Sequence, residues 1–324
     1  MTRRLKFFLI ALLLSLPLWW GINVLERKSE DFFFWLEMAK NPPPPSAAEI
    51  DPELVEKEIE KFKPIRDWQV EDLEIEATSA VSVEVDDEGN RKVIFQKEEG
   101  EVLPIASVTK LMTALVVLKN YELSQVVEIS NTAVATEGDA GKLKVGEIFR
   151  VKDLLYPLLM ESSNDAAQAL SEVIGERAFV DLMNLEAKNL GLENTDFVNP
   201  TGLDPETPGP LNSSTAEDLV KLISHLLKTQ PLVWEILAAP EFDLYSADGI
   251  YHHKAINSNK LLKEWPERMV GSKTGYTDRA DGCLILVLKS QNPANYLISV
   301  ILGSKDRYED MKKLVNWLDK AYIW

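Results

Sequence analysis

Apolar positions along this 324-residue chain fall into three kinds of pattern. A mostly apolar run from Phe7 to about Leu25 has roughly the twenty residues needed to cross a bilayer. Alternation with period two marks residues 81–85 and 92–96 as strands, joined through the turn residues Glu88-Gly-Asn90. Two further strand patterns lie at residues 282–288 and 296–302. Helical spacing governs residues 152–160, 164–174, 177–190 and 215–228, and an amphipathic helix closes the chain from about Tyr308 to Tyr322. The mostly apolar stretch Leu111-Met-Thr-Ala-Leu-Val-Val-Leu118 has the length of a buried helix, and Pro104 just ahead suits its entrance. Strands at both ends with helices between them predict an α+β fold. Its antiparallel sheet is completed by N- and C-terminal segments, flanked by helices and joined to a helical lobe.

The N-terminal region divides by composition. Residues 1–6 carry Arg3, Arg4 and Lys6 and read as a cytoplasmic end; residues 7–25 follow as the apolar run. Trp19 and Trp20 stand toward its outer side, where amphipathic rings favour the membrane interface. No small-x-small cleavage pattern follows, which favours an uncleaved signal anchor over a removed signal peptide. Residues 26–70 read as a tether. Asp31-Phe-Phe-Phe-Trp-Leu36 lies in the interface or packs on the domain, Pro42 to Pro45 form stiff polyproline II, and residues 53–61 form a short charged helix. Residues 71–324 then suit one bilobed domain with a substantial core.

Charge and rare residues narrow the chemistry. A net charge of −17 argues against nucleic acid or an anionic surface as partner. The lone Cys283 sits in an apolar strand and is expected to be a buried, inert thiol. Only three histidines occur: His225 on a helix, and the adjacent His252 and His253, expected to be exposed near a hairpin. With no His-Glu-x-x-His and no spaced ligand set, no metal or other cofactor is expected. The absence of Gly-x-Ser-x-Gly disfavours a Ser-His-Asp hydrolase. Gly271-Ser-Lys-Thr274 lacks the glycine that a phosphate loop needs before its lysine.

Three stretches remain: Ser107-Val-Thr-Lys110, Ser162-Ser-Asn164 and Lys273-Thr-Gly275. Each alone has an ordinary reading as a cap, a solvated lysine or a turn. Together they describe a serine enzyme that moves protons with lysine. A serine hydroxyl needs a neighbouring base to become a nucleophile. In Ser107-x-x-Lys110 the two side chains are one helical turn apart and share a face. Lys110 can act as that base only when neutral. A free lysine titrates near 10.4, so bringing it to about 7 means disfavouring the cation by about 4 to 5 kcal/mol. Burial and a second nearby cation, for which Lys273 is the candidate, do this.

The flanks of these stretches carry a resemblance. Ile105-Ala-Ser-Val-Thr-Lys-Leu-Met-Thr-Ala114, Asp153-Leu-Leu-Tyr-Pro-Leu-Leu-Met-Glu-Ser-Ser-Asn-Asp-Ala-Ala167 and Gly271-Ser-Lys-Thr-Gly-Tyr-Thr277 closely resemble, in order, the three motifs of the serine-type D-alanyl-D-alanine carboxypeptidases, the low-molecular-weight penicillin-binding proteins. Phe197-Val-Asn-Pro-Thr-Gly-Leu203 and Asn257-Ser-Asn-Lys-Leu-Leu262 are similar to further landmarks of that family. The resemblance implies a DD-peptidase/β-lactamase-like fold with its active site in the cleft between sheet and helical lobe.

It also implies roles. Ser107 attacks the peptide carbonyl and Lys110 takes its proton. Ser162 relays a proton to the leaving amine, and Asn164 holds Lys110 and the substrate amide. Lys273 and Thr274, with Gly275, bind the terminal carboxylate, and the backbone N–H groups of Ser107 and Tyr276 form the oxyanion hole. The implied activity is removal of the terminal D-alanine from peptidoglycan stem peptides in the bacterial cell envelope, with β-lactam antibiotics as covalent inhibitors and the N-terminal anchor in the membrane. DD-endopeptidase action on cross-links and a catalytically silent peptidoglycan-binding scaffold are the alternatives. The family often has histidine where Thr201 stands, and no catalytic role is assigned to that segment. A class A β-lactamase needs a Glu-x-x-Leu-Asn loop that Leu192-Glu-Asn-Thr-Asp-Phe-Val-Asn-Pro200 lacks, so a long-lived penicilloyl-enzyme is expected.

Overall fold

The computed structural model describes residues 63–138 and 142–324. The anchor run, the polyproline stretch, the 53–61 helix and the 31–36 segment lie outside the described residues. A five-stranded antiparallel sheet organises the domain. Its strands are β1 (Ser79–Val85), β2 (Arg91–Lys97), β3 (Met269–Thr277), β4 (Asp281–Lys289) and β5 (Tyr296–Ser304), in the order β3-β4-β5-β1-β2. The hairpin and both C-terminal strands thus form where alternation and apolar runs predict them, and the N-terminal hairpin does complete a sheet begun at the C-terminus.

Side-chain parity explains why the central strands read as continuous apolar runs. In β4, Cys283, Ile285 and Val287 face the larger core under the helical lobe, together with Val81 and Val83 of β1. Leu284, Leu286 and Leu288 face the other way, against Met311, Leu314, Val315 and Leu318. Both faces are covered, so neither can be polar. The covering elements are named along the chain: α1 (Lys110–Asn120), α2 (Asn164–Glu172), α3 (Glu176–Asn189), α4 (Ala216–Thr229), α5 (Pro231–Ala238) and α6 (Arg307–Ala321). Helix α1 is buried from Lys110 through Val117, which is why its sequence shows no polar face. Among the described residues no helix is long and apolar enough to cross a membrane.

Two expectations need correction. Residues 65–70 were assigned to the tether, yet Ile65–Arg66 pairs antiparallel with Tyr322–Ile323, so the domain includes this strand. The Arg66 guanidinium lies over the rings of Trp68, Trp317 and Tyr322 at 5.4, 4.8 and 5.8 Å, which fastens the first and last described segments together. The histidine pair is not exposed. His252 and His253 sit on the strand Tyr251–Ile256, with side chains 10 % and 12 % accessible, each against a glutamate. A short strand that alternates poorly gave no sign of that burial.

Candidate active site

The chain enters α1 through a 3-10 turn, Ala106–Thr109. Ala106 has φ +45°, a left-handed conformation uncommon for a residue with a Cβ and held here by its neighbours. Gly202 (φ +86°) is one of them: an added Cβ there would lie 2.0 Å from the Ala106 carbonyl oxygen. Gly275 of β3 is another, where a Cβ would lie 3.0 Å from Ser107 N. Glycine at these two places lets a loop and the sheet edge close on the serine from both sides.

Lys110 is fully buried, and its Nζ meets three oxygens: Ser107 Oγ at 3.0 Å, Asn164 Oδ1 at 2.7 Å and the Thr201 carbonyl at 2.6 Å. Asn164 is oriented by its own amide nitrogen, which donates to the Glu137 carbonyl at 2.7 Å. The carbonyl and the amide oxygen can only accept. A neutral amine therefore spends both N–H groups on them and turns its lone pair to the serine hydroxyl. Burial, then the charge of Lys273, holds Lys110 well below the usual lysine range. Burial and the neighbouring charge thus favour a neutral amine within hydrogen-bond distance of Ser107.

Ser162 stands where the second motif turns. The segment Pro157–Glu161 forms a π turn, and Ser162 follows it at φ 64°, ψ 33°. Ser163 then caps α2, accepting from Ala166 N at 3.0 Å, so Asn164 begins the helix and faces Lys110. Lys273 of β3 crosses the cleft to donate to Ser162 Oγ at 2.9 Å and to the Thr274 carbonyl at 3.0 Å. Thr274 Oγ1 lies 3.0 Å from Ser258 Oγ. Burial, and then the Arg307 charge, brings Lys273 down to about 7.

All the singled-out positions therefore meet in one cleft: Ser107 and Lys110 from the α1 turn, Ser162 and Asn164 from the α2 entrance, Lys273, Thr274, Gly275 and Tyr276 from β3. Two participants were not found in the sequence. The 199–204 loop, to which no catalytic role was assigned, supplies the Thr201 carbonyl that holds Lys110. Its Asp204 also accepts from Thr277 Oγ1 at 3.0 Å. A backbone contact leaves no trace in residue type. Arg307, at the start of α6, lies over the Tyr276 ring at 5.9 Å and lowers Lys273. Its buried Nε has no partner in the protein, and only the return of the chain to β3 reveals it. Cys283 is buried as expected, and burial pushes its thiol up to about 12. Among the described residues no group of three or more metal-ligating side chains converges.

The family described as D-alanyl-D-alanine carboxypeptidase matches residues 66–306. The D-alanyl-D-alanine endopeptidase of Pseudomonas aeruginosa is 32 % identical over 244 residues, covering 74 % of this chain and 77 % of that one. The D-alanyl-D-alanine carboxypeptidase DacF of Bacillus subtilis is 34 % identical over 258 residues, 78 % of this chain and 63 % of that one. Among solved structures, penicillin-binding protein D2 from Listeria monocytogenes in its cefotaxime-bound form superposes with a TM-score of 0.66 at 29 % identity, over 77 % of this chain and 99 % of that one.

Proposed function

This chain belongs to the D-alanyl-D-alanine carboxypeptidase family and is a serine hydrolase of that type; on that premise we propose that Ser107 is its nucleophile and Lys110 its base. The Ser107 hydroxyl gives its proton to Lys110 Nζ as Oγ attacks the carbonyl of the penultimate D-alanine. The oxyanion that forms accepts from the Ser107 and Tyr276 backbone N–H groups, a pair worth several kcal/mol in the transition state. Collapse breaks the peptide bond, and the proton passes from Lys110 by way of Ser162 to the leaving amine. Water then attacks the acyl-serine, giving a proton to Lys110; the ester bond breaks, Lys110 returns that proton to Ser107 Oγ, and the shortened peptide leaves. Lys273 and Thr274 receive the terminal carboxylate, with Arg307 as a second cation. A carboxylate beside Lys273 restores the proton that burial removes.

The observation that carries this reading is the three-oxygen cradle of Lys110, with contacts of 3.0, 2.7 and 2.6 Å. Ser107→Ala is expected to abolish both D-alanine release and covalent labelling by a fluorescent penicillin; labelling that survives places the nucleophile elsewhere. The same labelling separates a catalyst from a silent scaffold. Substrates are peptidoglycan stem peptides, and β-lactams acylate the same serine.

A second reading is supported by the P. aeruginosa relative, a D-alanyl-D-alanine endopeptidase. Digestion of purified muropeptides decides between them: loss of single D-alanine residues marks a carboxypeptidase, and conversion of cross-linked dimers to monomers marks an endopeptidase. The basic residues Arg3, Arg4 and Lys6 before the 7–25 run support a membrane-anchored enzyme with its catalytic domain outside the cytoplasm. Recovery of the full chain in the soluble fraction of lysed cells would overturn the anchoring.

A further inference from the structure

The residue just before Ser162 belongs to a second constellation. Glu161 ends the π turn, and its Oε2 lies 2.9 Å from His253 Nε2. Its Oε1 accepts from Ile256 N at 3.4 Å. His253 Nδ1 in turn lies 2.5 Å from His252 Nδ1. At the far end His252 Nε2 meets Glu147 Oε2 at 3.1 Å. Four side chains thus form one line from the residue ahead of the strand Ile148–Arg150, through the strand Tyr251–Ile256, to the turn that bears Ser162. A further tie, Ser258 N to the Met160 carbonyl at 2.8 Å, joins the exit of that strand to the same turn.

Proton counting defines the state of this line. Carboxylates accept, so each Nε2 that faces one carries a hydrogen. The two Nδ1 atoms then face each other. With no proton between them, two lone pairs would be forced together; with one on each, two N–H groups would collide. A 2.5 Å contact requires a single shared proton, hence one positive charge held between two carboxylates.

We propose that Glu161 and His253 are positioning residues for Ser162, and that the single proton shared by His252 and His253 keeps them in place. The proposal rests on the reading of Ser162 as the proton relay. Ser162 needs such support. At φ 64° it occupies a left-handed conformation that a residue with a Cβ adopts only when its surroundings impose it. If Glu161 is released from the strand Tyr251–Ile256, the turn relaxes and the Ser162 hydroxyl leaves Lys273 Nζ, now at 2.9 Å. Lost alignment of that kind slows the chemical step more than it weakens binding.

The line also sets two limits in pH. The charged groups around it are Glu147, Glu161 and Lys144. Burial holds His252 below the usual histidine range, Glu147 opposes this, and His253 and Lys144 add to it. A second proton therefore enters only in acid, where it drives the two rings apart. Loss of the shared proton opens the contact as well. His252 and Glu147 border a surface groove of about 620 Å³, so solvent protons can reach the outer end.

The test uses the full chain. Ring-nitrogen NMR is expected to show the pair titrating in two separated steps, and His252→Gln to reduce them to one ordinary step. Two independent, overlapping titrations in the wild type would overturn the shared proton. Penicillin acylation is then followed against pH for the wild type, Glu161→Gln and His253→Gln. Each variant is expected to lower the acylation rate constant about tenfold with little change in the preceding binding constant, and to lose the histidine-dependent part of the profile. Curves that keep the wild-type shape, at full or uniformly reduced height, would reduce the line to a structural brace. Ser162→Ala is measured alongside. Unchanged acylation in that variant would remove the relay role itself, whatever the histidine titration shows.

Discussion

Lys273 is held at about 7 against 10.5 for a free side chain, and this has a cost that can be measured. Between those two values the unfolded chain binds a proton that the folded chain does not, so folding stability rises with pH across the window. The slope is at most about 1.4 kcal/mol per pH unit. Below about 7 both states carry the proton and the full penalty of the buried cation is present. Lys273→Met keeps the bulk and removes the charge. It is therefore expected to be more stable than wild type by roughly 1 to 3 kcal/mol at pH 6, with a difference that shrinks toward pH 9. Urea unfolding of both proteins at a series of pH values checks this, since every other titration is common to the two. A difference independent of pH would mean that Lys273 is not depressed. The same substitution is expected to raise KM for a D-alanyl-D-alanine peptide by tenfold or more, because the substrate carboxylate loses its ammonium.

Among the elements, those built by local pattern were legible and those built by return of the chain were not. The β1–β2 hairpin, β4, β5 and helices α2, α3, α4 and α6 follow from periodicity, because each presents a constant face to one core. Ser107 and Lys110 could be paired because one helical turn separates them, whereas Ser162 and Asn164 were marked only by the resemblance of their motif. The contacts that complete the site run between distant segments. The Thr201 carbonyl reaches Lys110 across 91 positions and Lys273 reaches Ser162 across 111. The first is a main-chain atom, which no residue type announces. Helix α5 carries no such signal, since its eight residues follow α4 with only Gln230 between and are too few to show helical spacing of their own. The 199–204 loop therefore deserves a direct trial. A methyl group at Gly202 would meet the Ala106 carbonyl at 2.0 Å and would demand φ +86° of an alanine. Gly202→Ala is expected to cost at least about 2 kcal/mol and to slow penicillin acylation severalfold or more, by displacing the Ser107 turn. Chemical denaturation and labelling kinetics together test it; wild-type values for both would show that this loop does not brace the serine.

Taken whole, the domain closes by bringing its first and last described segments together. The strand Ile65–Arg66 lies against Tyr322–Ile323, Arg66 sits among three aromatic rings, and Trp317 Nε1 donates to the Glu71 carbonyl at 2.8 Å. None of these residues touches the cleft, which lies at the opposite edge of the sheet on β3, four strands from β2. Stability and catalysis should therefore separate when the N-terminus is shortened. A chain begun at Lys63 retains the strand and is expected to unfold at the wild-type temperature and to react with penicillin at the wild-type rate. A chain begun at Glu71 loses the strand pair and the Arg66 contacts. With cation–π contacts at about 0.5 to 1 kcal/mol each and some burial lost, the deficit is about 2 kcal/mol, or roughly 4 to 8 °C in Tm for a domain of this size. Its acylation rate well below that temperature should stay within about twofold of wild type, because α1, α2 and β3 keep their mutual packing. Thermal unfolding followed by circular dichroism, set beside penicillin labelling at 20 °C, reads both quantities. Equal Tm for the two chains would return residues 63–70 to the tether, and a large loss of labelling with an intact fold would show that the far edge of the sheet communicates with the cleft.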